Sequence, residues 1–416
     1  MKLKKLLAAA LAGVMVVGSF AGCSNSGDNG DDNGDTSAAQ TEGAGGDETA
    51  DASGDGEEAV SAEIVDHKIG IGLYTDSGKS VEALKAFLDG ISETIGCEFV
   101  YTTLSTYDEA TNISSIQNLI SSGCEGIILT ADMGTQAIVE ECEAAGVYMA
   151  GYLCDYYTSY TTAYDEVFGN DYFLGTVCDG RSDNSEYGTL VAEKVIEGGY
   201  KNVGVITFPA YAYPKQADID AKFRERIQEY NETADEADQI TLVDTIELNF
   251  TALEDTYLSE NPDLDCIFSV AAGAGNVYPV LVANGKTDIK LFTTGFEGTD
   301  DADNFGSKGN QCYQGVMFST PEAIVYPLCL IIDKLNGTTY SDLPEEPEVT
   351  DCSPMIVLSD EDMDKVINGA IYYSADYADA FLTGEDVVNL CASYNPDATY
   401  ANLVDTVNHM GVEDLQ

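Results

Sequence analysis

The chain has 416 residues, with 73 acidic and 18 basic side chains and a formal charge of −55. A surface that acidic repels nucleic acid and anionic lipid, so functions built on basic patches are excluded. A small neutral ligand stays open, and the roughly 350 residues from about Asp66 onward are enough for two lobes of ordinary size.

The chain begins as an export signal. Lys2, Lys4 and Lys5 precede the apolar run LLAAALAGVMVVGSF, which is shorter than the ~20 apolar residues of a comfortable bilayer span. Phe20-Ala21-Gly22-Cys23 resembles the lipobox of bacterial lipoproteins. That resemblance implies a signal over 1–22, cleavage before Cys23, and a diacylated cysteine that anchors the protein in the membrane. An ordinary secretory signal cut nearby is the alternative. Residues 24–66 carry no Lys, Arg or aromatic side chain. Such a stretch cannot bury enough apolar surface to offset its ordering entropy, so 23–65 is expected to be an acidic, disordered tether reaching on the order of 35 Å.

Of the eleven cysteines, ten remain after Cys23. None has CxxC spacing, and Cys97, Cys124, Cys266 and Cys329 sit in apolar runs where a Val would serve. Buried thiols are expected; disulfides stay open, because sequence does not give connectivity.

From His67 short apolar runs alternate with helical patterns. HKIGIGLY (67–74) reads as a buried strand, and VEALKAFLDGISETI (81–95) as an amphipathic helix with Val81, Leu84, Leu88, Ile91 and Ile95 on one side. CEFVYTTL is a strand, EATNISSIQNLISSG a helix stopped by Gly123, GIILTAD (126–132) a strand, GTQAIVEECEAAG a helix and VYMAGYLCD (147–155) a strand. Strands separated by helices of this length pair in parallel through right-handed crossovers, giving a doubly wound sheet. After an irregular stretch the design repeats. TLVAEKVIEGG (189–199) is helical, NVGVITF (202–208) a strand and IDAKFRERIQEY a helix, followed by strands at ITLVDTIEL, DCIFSVA and KLFTTGFEG (290–298).

This order resembles the type 1 periplasmic binding proteins that serve sugar importers, over about 67–360. The resemblance is carried by LKAFLDGI, IQNLISSGCEGIIL (116–129), DYFLGTVCDG leading to YGTLVAEKVIEGG, LFTTGFEG, and GVMFSTPEAIVYPLCLIIDKLNG (315–337). It implies an α/β fold of two doubly wound parallel-sheet lobes joined by a multi-strand hinge. The N-terminal lobe would comprise 66–177 plus about 320–340, and the C-terminal lobe 178–319 plus about 345–360. It also implies a monomeric, extracytoplasmic receptor with no cofactor and no metal, which passes a sugar to an ABC permease. Residues 361–416 lie beyond the family pattern; NGAIYYSADYADAFL and YANLVDTVNHMG look partly helical there.

In open α/β sheets ligands bind outside the carboxyl ends of strands. Candidates are therefore Tyr74, Thr75, Asp76 and Ser77 after the first strand; Asp132 after the third; Asp155, Tyr156 and Tyr157 after the fourth; Asp179 near the crossover; and Glu297 and Ser319 in the second half. Carboxylates accept several hydroxyl hydrogen bonds, and an aromatic ring covers the flat C–H face of a pyranose. The chain has 25 Tyr and no Trp, and YLCDYYTSYTTAY (152–164) concentrates tyrosines. Asp132 and Asp155 also suit helix N-caps, and Tyr74 a rim position. By the resemblance, Glu297 takes the place of the Asp in the family's Gly-Phe-Asp strand end. Departures are SGKSV where sugar receptors carry an aromatic pair, Ile219 for an Arg, Ser319 for a Gln, and AAGAGN for an Asn-Asp.

DCIFSVAAGAGNVYPVL (265–281) resembles the basic membrane protein family of nucleoside-binding lipoproteins instead. Gly273, Ala274, Gly275 and Asn276 would then offer N–H donors at a helix N-terminus, making a nucleoside the alternative ligand. Tight packing against the other lobe would explain the same small residues. An enzyme is unsupported: the only histidines are His67 and His409, and HExxH, GxSxG and P-loop motifs are missing. A sugar-responsive repressor would need a DNA-binding headpiece where this chain has a signal and tether. A sensory subunit for a membrane kinase stays open, since transport and sensing both read the closed conformation.

Overall fold

The computed structural model describes residues 63–415 except 106–107, 155, 157–163, 180–185, 210–212, 214 and 297. The signal, Cys23 and the tether lie outside the described residues, as do Asp155, Tyr157 and Glu297.

Strands β1 (His67–Leu73), β2 (Cys97–Thr103), β3 (Gly126–Leu129), β4 (Tyr148–Tyr152) and β5 (Phe173–Cys178) alternate with helices α1 (Lys79–Ile95), α2 (Glu109–Ser121) and α3 (Thr135–Ala145). The sequence explains these elements locally. Val81, Leu84, Leu88, Ile91 and Ile95 of α1 are all buried, and the helix stops at Gly96 in the left-handed region. Burying each such side chain contributes about 1.5–3 kcal/mol. The four residues of β3, GIIL, are buried on both faces, as an inner parallel strand requires.

The second set comprises β6 (Asn202–Thr207), β7 (Thr241–Leu242), β8 (Ile246–Glu247), β9 (Cys266–Ser269), β10 (Lys290–Thr294) and β11 (Tyr313–Ser319). The stretch ITLVDTIEL, expected as one strand, is broken into β7 and β8. Each pairs separately with β6 at the sheet edge, while Thr245 between them turns to accept a hydrogen bond from Arg224. Helices Glu186–Gly198 and Gln216–Thr233 cover this sheet and meet at Gly188, where a Cβ would strike the Ile219 carbonyl.

Two short strands complete the sheets: β12 (Val349–Asp351) and β13 (Pro354–Val357). The first sheet has the order β12-β5-β4-β3-β1-β2 and is parallel throughout. The second runs β13-β11-β10-β9-β6-β7 with β8 also on β6, and only β13 is antiparallel in it. The chain thus passes between lobes after β5, after β11 and between β12 and β13. All ten described cysteines are buried free thiols.

Candidate functional site

Among the described residues, the carboxyl ends of β1, β3, β4 and β5 in one lobe, and of β9 and β11 in the other, carry expected site residues. Tyr74 leaves β1 with 47% of its surface exposed; its N–H is bonded to Thr130 Oγ1 at 2.8 Å and its hydroxyl to Ser80. Asp76 is exposed, and the Thr75 hydroxyl donates to the Ser77 carbonyl at 3.3 Å. Asp132 is also exposed and accepts from the Thr135 hydroxyl at 2.7 Å at the start of α3. Tyr156 is instead fully buried in the first lobe, its ring edge-on to Phe168 and Phe173.

At the crossover the structure brings Asp179 and Ser319 together, although 140 positions separate them. The Ser319 hydroxyl donates to the Asp179 carboxylate, and Lys215 forms an ion pair with the same carboxylate. Lys215 Nζ also donates to the Asp179 carbonyl at 3.3 Å and lies 5.2 Å from the centre of the Tyr213 ring. Lys215 was not among the residues expected from sequence. Its signal was available: it is a lone cation inside the aromatic stretch FPAYAYPK of a chain with 18 basic residues against 73 acidic ones.

The small-residue segment is partly engaged. The Gly273 N–H donates to Thr293 Oγ1 at 2.8 Å, and a Cβ at Gly273 would collide with that side chain. Asn276 gives its side-chain amide to the Thr251 carbonyl at 3.0 Å and accepts the Leu253 N–H at 2.9 Å. Gly275 is exposed, with open space around its Cα. The helix it belongs to, Gly273–Asn276, is a single turn.

Below the strand ends, the Tyr152 hydroxyl donates to the Thr320 carbonyl at 3.1 Å, and burial keeps that phenol neutral by pushing its pKa well up. Glu322 is fully buried; it accepts the Phe381 N–H at 3.1 Å and is bonded by the Thr320 hydroxyl. Burial raises its carboxyl above the usual carboxylate range, with the hydrogen bonds from Thr320 and the backbone opposing the shift. A group whose pKa is raised on folding gives its full stabilisation below the unfolded value and loses it as pH rises through the folded value. Glu322→Gln keeps an acceptor for Phe381 and has no such loss. Its melting temperature relative to wild type is therefore expected to climb from about pH 4 to pH 7, and a flat difference across that range would contradict the assignment.

His67 is buried between Glu125 at 3.3 Å and Asn336 at 3.0 Å, a packing role in the first lobe. Among the described residues no group of His, Cys, Asp or Glu is arranged to hold a metal, and no helix is long and apolar enough to cross a membrane.

The chain matches the Periplasmic binding protein domain family over residues 69–337 and belongs to it; its two doubly wound lobes are the type 1 form of that fold. A solute-binding protein of Actinobacillus succinogenes with bound D-allose is similar, with TM-score 0.54 and 14% identity over 72% of this chain and 99% of that one. So is one from Agrobacterium vitis bound with alpha-D-tagatopyranose, with TM-score 0.53 and 15% identity over 71% of this chain and 95% of that one. A putative LacI transcriptional regulator from Bacteroides fragilis shares the architecture too, with TM-score 0.52 and 12% identity over 72% and 99% of the two chains. At such identities the likeness is one of fold. No curated protein sequence matches the chain.

Proposed function

We propose that this protein is an extracytoplasmic solute-binding lipoprotein that captures a small polar ligand, a sugar first of all, between its lobes and delivers it to an ABC importer. Membership of a binding-protein family carries the reading, and the sugars bound in two structurally similar proteins support it. Ligand contact is assigned to Tyr74, Asp76, Asp132, Asp155, Asp179, Glu297 and Ser319, which belong to strand ends or the crossover. Their carboxylates and hydroxyls suit a polyol, and closure rather than chemistry does the work. The lipobox-like Cys23 supports attachment to the membrane through a lipid anchor, with the protein otherwise a monomer.

The experiment is a thermal-shift screen of the exported protein against sugars and nucleosides. A ligand at 100 times its dissociation constant stabilises by ~2.7 kcal/mol, so a rise of several degrees with at least one sugar is expected. A rise with nucleosides alone would replace the sugar by the alternative ligand and move attention to Gly275 and Asn276. No rise with any small polar solute would defeat the proposal.

A further inference from the structure

Residues 359–415 join neither sheet, yet they touch both lobes. The Asp360–Gly369 helix, capped by Ser359 accepting the Asp362 N–H at 3.1 Å, puts Met363 and Val366 into the second lobe's core. Successive side chains then divide between the lobes: Ala370 and Tyr372 pack in the second core and Ile371 in the first. Val387, Cys391, Leu403 and Val407 continue in the first core, and Val412 and Leu415 return to the second. The tail therefore crosses between lobes twice more.

It is also bonded to the crossovers themselves. Ser353, between β12 and β13, donates its N–H to the Val407 carbonyl at 3.0 Å and its hydroxyl to the Asn408 carbonyl. The crossover after β11 is tied through Glu322, whose carboxylate holds the Phe381 N–H. On the flank, Lys79 at the start of α1 donates to the Tyr373 carbonyl at 3.1 Å, with its stem against Gly298 of the second lobe.

A hinge opens by changing φ and ψ at a few residues. Any such change at Ser353 breaks two hydrogen bonds, and any separation of the lobes pulls Ile371 and its neighbours Ala370 and Tyr372 toward different cores. We infer that residues 360–415 are an inter-lobe strap that sets how far and how often the lobes part. Its control of ligand exchange rests on the binding function proposed above; its control of the hinge does not. The strap adds interactions that the open state must give up, so the ligand-free protein opens less than the crossovers alone would allow.

Hydrogen exchange of the full chain without added ligand tests this. Val412→Asp drives a charge into the strap's return to the second core. Peptides over 316–324 and 349–358 are expected to exchange about tenfold faster, with β1 and β3 unchanged. Unchanged exchange at both crossovers overturns the inference. So does an acceleration spread over both sheets or over the second sheet as a whole, β6 and β9 included, which reports global or lobe stability alone. Should Val412→Asp fail to fold, Leu415→Ala at the chain end is read by the same criteria. Because no ligand enters, a flat exchange result leaves the binding function standing, and a failed ligand screen leaves the strap standing.

Discussion

Lys215→Met is expected to destabilise the protein by about 3–5 kcal/mol. The lysine and its partner Asp179 are 6% and 7% exposed, so removing the cation leaves a largely buried carboxylate without its counter-charge. Ser319 supplies one hydroxyl donor to that carboxylate and Lys215 the only opposite charge among its described contacts. One neutral hydrogen bond does not compensate a buried anion. The double variant Asp179→Asn with Lys215→Met removes both charges and keeps an acceptor for Ser319, and a neutral replacement of a buried pair is often close to neutral in stability. The double variant should therefore recover most of the loss. Urea unfolding at neutral pH measures both; a single-variant cost below about 1 kcal/mol, the range of exposed pairs, would mean that water solvates the carboxylate.

Much of the fold was legible because local pattern and global packing agree. In α1 the apolar positions picked out by period are the ones buried, and GIIL, read as a strand, is buried on both faces as an inner strand. Where several arrangements satisfy the same pattern, the sequence was less explicit. Val349–Asp351 is three residues long and carries no period; it pairs with β5 in the first sheet, although the surrounding stretch reads as second-lobe sequence. The ITLVDTIEL run looked continuous because periodicity does not report an interruption at a sheet edge.

The site shows the same division. Strand ends identify the region, because the chain must reverse there and polar groups collect. They do not say which way each side chain turns: Tyr156 belongs to the aromatic core of its lobe, while Tyr74 two strands away is open. The pairing of Asp179 with Lys215 depends on how the crossover folds back on the second lobe, and no short-range pattern encodes that. The tail was opaque for a related reason. Its apolar residues alternate between two cores, and a run such as AIYY announces burial without announcing two different partners.

Tyr372→Ala is expected to cost about 3–5 kcal/mol, the range for deleting a large buried aromatic ring. The Tyr372 ring lies 4.3 Å from the Phe318 ring and 6.1 Å from that of Phe296, and these two stack on each other at 5.2 Å. Deleting one member of such a cluster leaves a void beside a ring held in β11 and another just past the end of β10, so neither readily collapses to fill it. Tyr372→Phe separates packing from the hydroxyl. It keeps the ring and loses the hydrogen bond to the Phe296 carbonyl at 3.3 Å, a loss of about 1 kcal/mol. Denaturant unfolding of the two variants should therefore differ severalfold in cost. Equal costs would place the stabilisation in the hydroxyl and the orientation it imposes on Phe296. A small cost for both would mean that the two aromatic rings close over the gap. The expected inequality instead makes the tail's tyrosine a structural floor for Phe296 and Phe318 in the second lobe.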